Sequence, residues 1–438
     1  MARPQDRPPA LNPIRRATPR SAVLLALWLC AALAFLTAPA LAAAQTAQTA
    51  SADTTGTAAP AQTPSASAAP ATTVPRIGVA TMQPGEIFWE RFGHDALVVL
   101  DPGTGAAISY NFGFFDPEEP DFVGRFMRND MRYRLAALPF EQDLALYREE
   151  GRGVSIQWLD LDDDQARTLA ASLAENAKPE NAYYRYQYFD DNCSTRVRDA
   201  IDRALGGALR RQIEGRSRGN TLRGEAVRLA SPAPWMWLGF DIGLGAAADK
   251  PLPVWGEAYV PMRLAAALRE VKNTQGRPLV LSEQEILPHR IAPEPAETRR
   301  NWVRWAAFGV VLGLALAGLG RRRPRVLAAL ALALWTLCGI LAALMLFIWF
   351  GTGHTYGWGN QNLLLFNPLC WLLWLGGWRI LRGREAGPWF QRLLLTVAAC
   401  AVLALFLHGL PTQPQRNAHW IALMLPLHLG LLLGLRKR

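Results

Sequence analysis

The chain has 438 residues, half of them hydrophobic, with 46 Lys and Arg against 36 Asp and Glu and a net charge of +10. Its length suffices for more than one domain. The basicity is regional: residues 1–20 carry +4 and the residues after Thr298 carry +14, leaving −8 between them, which removes the main support for a nucleic-acid-binding protein.

A secretory signal is predicted over residues 1–44. Arg15, Arg16 and Arg20 make a basic n-region, SAVLLALWLCAALAF an apolar h-region, and APALAAA offers cleavage sites near Ala42 or Ala44. A retained N-terminal anchor is the rival reading. Cys30, inside the h-region, has no lipobox around it. Residues 45–75 are Ala, Thr, Pro, Ser and Gln with almost no charge and few large apolar side chains. They are expected to form a flexible linker.

An exported domain is predicted over 76–298. Its first clear pattern is a hairpin: HDALVVLD alternates as a strand, PGTG turns, and AISYNFGFF is the second strand. His94 then stands at the hairpin mouth, a rigid place for a base. The alternative is a hydrogen-bonded structural histidine. Asn111 on the second strand either orients an imidazole or satisfies backbone; Tyr110, on the opposite face, is the alternative orienting residue. Further on, DDDQARTLAASLAENA reads as an amphipathic scaffold helix with a capping box from Asp162 to Gln165.

In YRYQYFDDNCSTRVRDAID an aromatic, extended run turns into a helix at Cys193, with Asp191 or Asn192 as N-cap. Cys193, Val197, Ala200, Ile201 and Ala204 share one helical stripe. A thiol in the first turn faces unpaired N–H groups and the positive end of the helix dipole, and both favour thiolate. Asp190 and Asp191 oppose this, so a cationic partner is needed. The bland alternative is a small apolar residue starting a core stripe. Gln187, or Tyr186 or Tyr188 beside it, is a candidate donor to an oxyanion, together with the Cys193 backbone N–H. The alternative for each is the polar edge of an aromatic cluster. Beyond it, SPAPWMWLGFDIGLG (231–245) is core, or lines an acyl groove, or touches the bilayer surface. His289, in the proline-flanked EILPHRIAP, is expected in a surface linker.

A transmembrane domain is predicted over 299–438. Five apolar stretches cover roughly Trp302–Gly320, Val326–Phe350, Leu363–Leu381, Leu393–Leu410 and Trp420–Leu435. Arginines cluster between spans one and two, between spans three and four, and at the C-terminus, whereas the opposite loops hold one arginine. The positive-inside rule then leaves the 76–298 domain outside the cytoplasm, in agreement with the signal. His354, Asn360 and Asn362, in the loop GTGHTYGWGNQN, face the exported side. They contact lipid headgroups or cap helix ends. Of the five cysteines, Cys338, Cys370 and Cys400 fall within spans, so Cys193 is the lone thiol of the exported domain. An unpaired thiol in an oxidising compartment is a liability unless buried or used. No HExxH, paired CxxC, Walker loop or dinucleotide fingerprint is present, so no metal or nucleotide cofactor is implied.

The order His, Asn, Cys is the papain order rotated. It resembles the circularly permuted papain-like fold of the NlpC type, including the lecithin retinol acyltransferase group. There a histidine begins a strand and a later NC opens the nucleophile helix. The chain also resembles the Lnb-type family, which joins an N-terminal periplasmic domain to a small membrane domain. The segments ERFGHDALVV, YNFGFFD, FDDNCSTRVRD, ADKPLPVWGEAYVPMRL and HTYGWGNQNLLLFNP carry this resemblance. Together they cover most of the chain from about Pro75 onward. It implies an α+β permuted papain-like domain followed by an all-α five-helix transmembrane domain in a bacterial inner membrane, with the catalytic domain periplasmic. It further implies a lipoprotein N-acyltransferase, moving a fatty acyl group from membrane phospholipid to the amine of a lipoprotein's N-terminal cysteine. Cys193 takes the nucleophile position, His94 the base and Asn111 the third position. Two rivals remain: a peptidase or amidase acting on peptidoglycan stem peptides, and a non-enzymatic envelope component in which Cys193 is core.

Overall fold

The computed structural model describes residues 74–297, 301–410 and 415–436. The predicted signal peptide, Cys30 and all but the end of the predicted linker lie outside the described residues.

The first half of the chain builds one antiparallel sheet from β1 (Arg76–Met82), β2 (His94–Leu100), β3 (Ala107–Phe114), β4 (Met131–Pro139), β5 (Val154–Leu159), β6 (Tyr183–Tyr186) and β7 (Val280–Leu287). Their spatial order is β6-β4-β3-β2-β1-β5-β7. Between and beyond the strands lie α1 (Phe122–Met127), α2 (Phe140–Glu150), α3 (Asp163–Asn176), α4 (Cys193–Ala204), α5 (Ala208–Ile213), α6 (Leu222–Ala230), α7 (Pro234–Gly243), α8 (Val254–Glu257) and α9 (Pro261–Arg269). The predicted hairpin is β2–β3, and α3 begins with the predicted capping box at Asp162 and Gln165.

Alternation along the strands sorts the sheet into two buried faces. Ile77, Val79, Leu97, Tyr110 and Phe112 pack against α3, α4, α5 and α9. Ala80, Met82, Ala96 and Val98 face the other way, onto Phe140, Leu144 and Tyr147 of α2. Complete burial of each large aliphatic side chain here contributes about 1.5–3 kcal/mol. The central strands are therefore covered on both sides, and a side chain reaches solvent only at a strand end. Both ends that matter below are shaped by glycine. Gly93, at φ 76°, turns the chain into β2. Gly113, at φ 112°, sits in the irregularity that ends β3 between Phe112 and Phe114.

The second half is helical: α10 (Trp302–Arg322), α11 (Pro324–Gly351), α12 (Cys370–Leu381), α13 (Pro388–His408) and α14 (Ala418–Leu435). Among the described residues four helices, α10, α11, α13 and α14, are long and apolar enough to cross a membrane. The fifth helix, α12, lies within the third of the five expected spans and is shorter than these four. The third predicted span, Leu363–Leu381, spends its first part in a 3-10 turn (Gln361–Leu364) and a turn in which Asn367 Oδ1 accepts from Leu369 N. The remaining α12 has 12 residues, or about 18 Å at 1.5 Å per residue, short of the ~30 Å hydrocarbon core.

Helices α10 and α14 run side by side on small residues. A Cβ on Gly313 would collide with the Pro426 carbonyl oxygen, and one on Gly320 with that of Gly434. Such small-residue seams substitute for a hydrophobic driving force inside lipid, where close backbone approach supplies the packing.

The sheet domain and the helical domain fall within one compact unit, Pro70–Arg438. Helix α7 joins them. Its Ile242 is part of the membrane-domain core, and its carbonyl accepts from Asn360 Nδ2 at 2.6 Å and Asn362 Nδ2 at 3.1 Å. Asp241 Oδ2 lies 2.7 Å from both His419 Nε2 and Trp420 Nε1. Arg223 donates to the carbonyls of Asp241 and Leu244 and pairs with Asp249, whose carboxyl accepts from Arg416 N.

The seam gives a direct test. Gly313→Leu should lower the thermal midpoint of the detergent-solubilised protein by several degrees, the scale of ~1–3 kcal/mol of overpacking. Gly318→Leu, on the same helix where a Cβ meets nothing within 4 Å, should leave it unchanged. Equal midpoints for the two variants would refute the seam.

Candidate active site

His94 opens β2, and Asn111 lies diagonally across the β2–β3 ladder, whose register pairs Ala96 with Asn111. His94 Nε2 is 3.0 Å from Asn111 Oδ1. The Asn111 amide is itself held: its Nδ2 donates to Asp143 Oδ2 at 2.7 Å, and Ser109 Oγ donates to the same oxygen at 2.6 Å. That contact directs Nδ2 toward α2 and Oδ1 toward the imidazole. An amide oxygen only accepts, so His94 carries its proton on Nε2 and keeps the Nδ1 lone pair available. Asp143 was not anticipated from the sequence. Its signal was available: it is an acid on the otherwise apolar stripe of Phe140, Leu144 and Tyr147.

Cys193 is held from the opposite face of the sheet. Asn192 caps α4 with Oδ1 accepting from Thr195 N at 2.9 Å, and Thr195 Oγ1 accepts from Asn192 N at 2.8 Å. Asn192 Nδ2 also donates to the carbonyls of Tyr188 and Tyr259. The capping residue is thus Asn192, and its amide ties the first turn to both flanking loops. Asp191 pairs instead with Arg196. The first turn lies over the strand end: a Cβ on Gly113 would be 3.9 Å from that of Cys193. Backbone N–H groups of Asp95, Ser194 and Cys193 itself point at the sulfur and favour the thiolate. Asp95 directly follows His94, so thiol and imidazole share the beginning of β2, one approaching from each face.

Although Cys193 keeps some exposed surface, its thiol is enclosed, and burial followed by the charge of Asp95 pushes it up to about 12. Burial also lowers His94 below the ordinary histidine value, against the opposing influence of Asp143 and Asn111. The resting pair is therefore neutral thiol and neutral imidazole. The helix start favours the thiolate but is outweighed: a helix dipole contributes about 0.3–1 kcal/mol, whereas full burial shifts a pKa by up to ~3–5 units.

Asp95 is a second residue the sequence reading missed. It is buried, accepts from Thr81 Oγ1 at 2.8 Å, and lies 2.7 Å from Ser194 Oγ. Ser194 Oγ is also 2.8 Å from the Ala258 carbonyl. Ser194 and Thr81 both donate to the Asp95 carboxyl and favour its charged form, but burial outweighs them and raises it to about 7.

The other expected residues divide. Gln187 is half-buried and closes a small turn through backbone bonds with Asp191 at 3.0 Å. Tyr188 packs edge-on to Tyr186 and Phe126, and burial raises its phenol to about 12, so it remains a donor. Asn360 and Asn362 are buried, and their amides are spent on Ile242, Gln415 and Asn417. They are struts between domains, which corrects the expectation of headgroup contact. His354 is half-buried, packs on Phe126 with tilted rings whose centroids are 5.0 Å apart, and leaves Nε2 without a protein partner. His289 is not a free linker residue: its Nδ1 accepts from Gly153 N at 3.0 Å and its Nε2 lies 2.9 Å from the Ala292 carbonyl. Tyr110 faces the α4 side, away from the Asn111 amide. Among the described residues no group of three or more His, Cys, Asp or Glu is arranged to hold a metal.

Fold and site together define a multi-pass membrane protein that carries, on its exported side, an antiparallel-sheet domain with a cysteine and a hydrogen-bonded histidine at one strand end. Residues 69–223 match the family model of the Lnb N-terminal periplasmic domain, and residues 302–436 match that of the Lnb transmembrane domain. The chain belongs to the Lnb-type family. Neither the curated proteins nor the solved structures contain a match to it.

Neutralising Asp95 should lower the Cys193 pKa. Asp95→Asn removes the charge while keeping an amide oxygen able to accept from Thr81. Alkylation of the Cys193 peptide by iodoacetamide at pH 8, followed by mass spectrometry, should accelerate about tenfold per unit of pKa recovered. An unchanged or slower rate would remove Asp95 from control of the thiol.

Proposed function

We propose that the protein is a thiol acyltransferase of the bacterial inner membrane, with a permuted papain-like catalytic domain on the periplasmic side. It moves a fatty acyl chain from membrane phospholipid to the N-terminal amine of a lipoprotein. The observation that carries this reading is the position of Cys193 at a capped helix start over the strand end where His94, Asn111 and Asp143 form a hydrogen-bonded chain. Support also comes from membership of the Lnb-type family and from the attachment of this domain to spanning helices.

The chemistry starts from the neutral pair. The reaction requires His94 Nδ1 and Cys193 Sγ to meet around the start of β2. As the sulfur bonds to the ester carbonyl carbon, its proton passes to Nδ1, and backbone N–H groups near the sulfur, with Gln187 or Tyr188 as side-chain candidates, hold the oxyanion. The C–O bond then breaks, the imidazolium protonates the lysolipid oxygen, and a thioester remains. In the second half the lipoprotein amine attacks that carbonyl and the C–S bond breaks. The amine proton returns by way of His94 to the sulfur, leaving an amide. Asn111 and Asp143 hold the tautomer that keeps Nδ1 basic. No metal or organic cofactor enters this scheme.

Cys193→Ala should abolish both the fatty-acyl adduct on the protein and the triacylated lipoprotein made when the gene is expressed in cells lacking their own lipoprotein N-acylation. A peptidyl mass on the trapped enzyme would instead indicate a peptidase. Normal lipoprotein acylation by the alanine variant would make Cys193 a core residue.

The sign of the pH dependence follows from His94. Burial lowers its pKa from 6.5, so the basic form persists below pH 6.5 and is lost on further acidification. Thioester formation at subsaturating donor should be flat from pH 7 to 9 and fall tenfold per pH unit along an acid limb whose midpoint lies below 6.5. A midpoint above 6.5, or a rise continuing to pH 9, would contradict a buried neutral base.

A further inference from the structure

Helix α7 is an unusual element. Its C-terminal end is built into the membrane-domain core through Ile242, and a Cβ on Gly243 would lie 3.9 Å from Ile348 Cδ1 in the final turns of α11. Its other face is apolar and uncovered: Trp235 is 54% exposed and Leu238 is 36% exposed. Neither stands alone. Phe88 stacks on Trp235 with ring centroids 6.1 Å apart. Trp89, which is 47% exposed, meets Phe115 edge-on at 6.2 Å. Phe115 leads to α1, where Val123 is 60% exposed and Phe126 packs on His354. His354 belongs to the loop that follows α11, and its neighbour Gly353 bonds through N to the Met127 carbonyl at 2.8 Å. Phe88 and Trp89 precede His94 in the chain, while Phe115 and α1 follow Gly113. The patch therefore rims the strand end that carries His94 and underlies Cys193.

We propose that this aromatic rim, centred on α7 and the loops before β2 and after β3, is immersed in the membrane leaflet on the exported side and is the port through which a lipid acyl chain reaches the strand end. The occupant follows from continuity. The rim connects through α7 and the His354 loop to the end of α11, a helix whose length and composition suit a membrane span, so its exposed rings lie at the level where that span leaves the hydrocarbon. Trp and Phe side chains concentrate at this level because their large apolar bodies partition into the interface. An uncovered apolar surface of this kind marks an interaction site. The delivery role rests on the acyl-transfer reading; the immersion does not.

The test uses the full-length protein in native membranes with p-benzoylphenylalanine placed singly at positions 89, 235 and, as a control, 178, where exposed Lys178 lies beyond α3. Ultraviolet irradiation followed by mass analysis should give phospholipid-mass adducts at 89 and 235 and none at 178. Adducts to protein at 89 and 235, or no lipid adducts there, would overturn the immersion. A second measurement tests delivery. Trp235→Glu combined with Leu238→Glu should reduce acylation of Cys193 from phospholipid vesicles at least tenfold while preserving acylation by water-soluble p-nitrophenyl butyrate. Equal rates from vesicles for variant and parent would overturn the port. Lipid adducts at 89 and 235 in a parent protein that neither donor acylates would overturn the port and the acyl-transfer reading, while the immersion stands.

Discussion

The site depends on one register. Ala96 pairs with Asn111, and this puts His94 and Asn111 on the same face of neighbouring strands as a diagonal pair. A slip of one residue would send the two side chains to opposite faces and separate the imidazole from the amide that orients it. Packing of both faces enforces the register, because a slip would also carry Ala96 and Val98 onto the opposite core, which is packed around Leu97 instead. Beneath Asn111, the hydrogen bonds to Asp143 connect the strand pair to α2, so the orientation of one imidazole is set by a strand, its neighbour and a helix.

Electrostatics then decide the state in which the pair rests. The first turn of α4 points several N–H groups at the sulfur, yet enclosure and the neighbouring Asp95 carboxyl outweigh them. The same enclosure keeps His94 neutral. A protonated thiol and an unprotonated imidazole are the resting forms that burial sets for these two side chains. That suits an oxidising compartment, where a standing thiolate would be consumed by oxidation.

Attachment to the membrane domain is equally specific. Arg223 gathers the carbonyls at the end of α7 and the Asp249 carboxyl, and Asp241, Asn360 and Asn362 complete a buried polar junction. Breaking one partner of such a junction leaves an unpaired buried group, which costs far more than an exposed contact. The junction therefore holds the strand end, and the aromatic rim around it, at one height relative to the spanning helices.

Much of this was legible along the chain because it rests on local pattern. Alternation marked β2 and β3, helical spacing marked α3 and α4, arginine placement marked the orientation of the spans, and the lone exported thiol marked Cys193. The short α12 was hidden because hydropathy counts apolar residues and does not register that Asn360, Asn362 and Asn367 are committed to an interdomain junction and a turn. Asp95 was hidden because a buried acid on a strand becomes distinctive only through the partners that surround it, and those partners lie 14 and 99 residues away in sequence. Local spacing thus determined which residues were candidates for reactive chemistry. Only long-range packing decided their protonation, the tautomer of the imidazole and the height of the site above the spans, because each is set by burial and by groups that the chain brings together from distant segments.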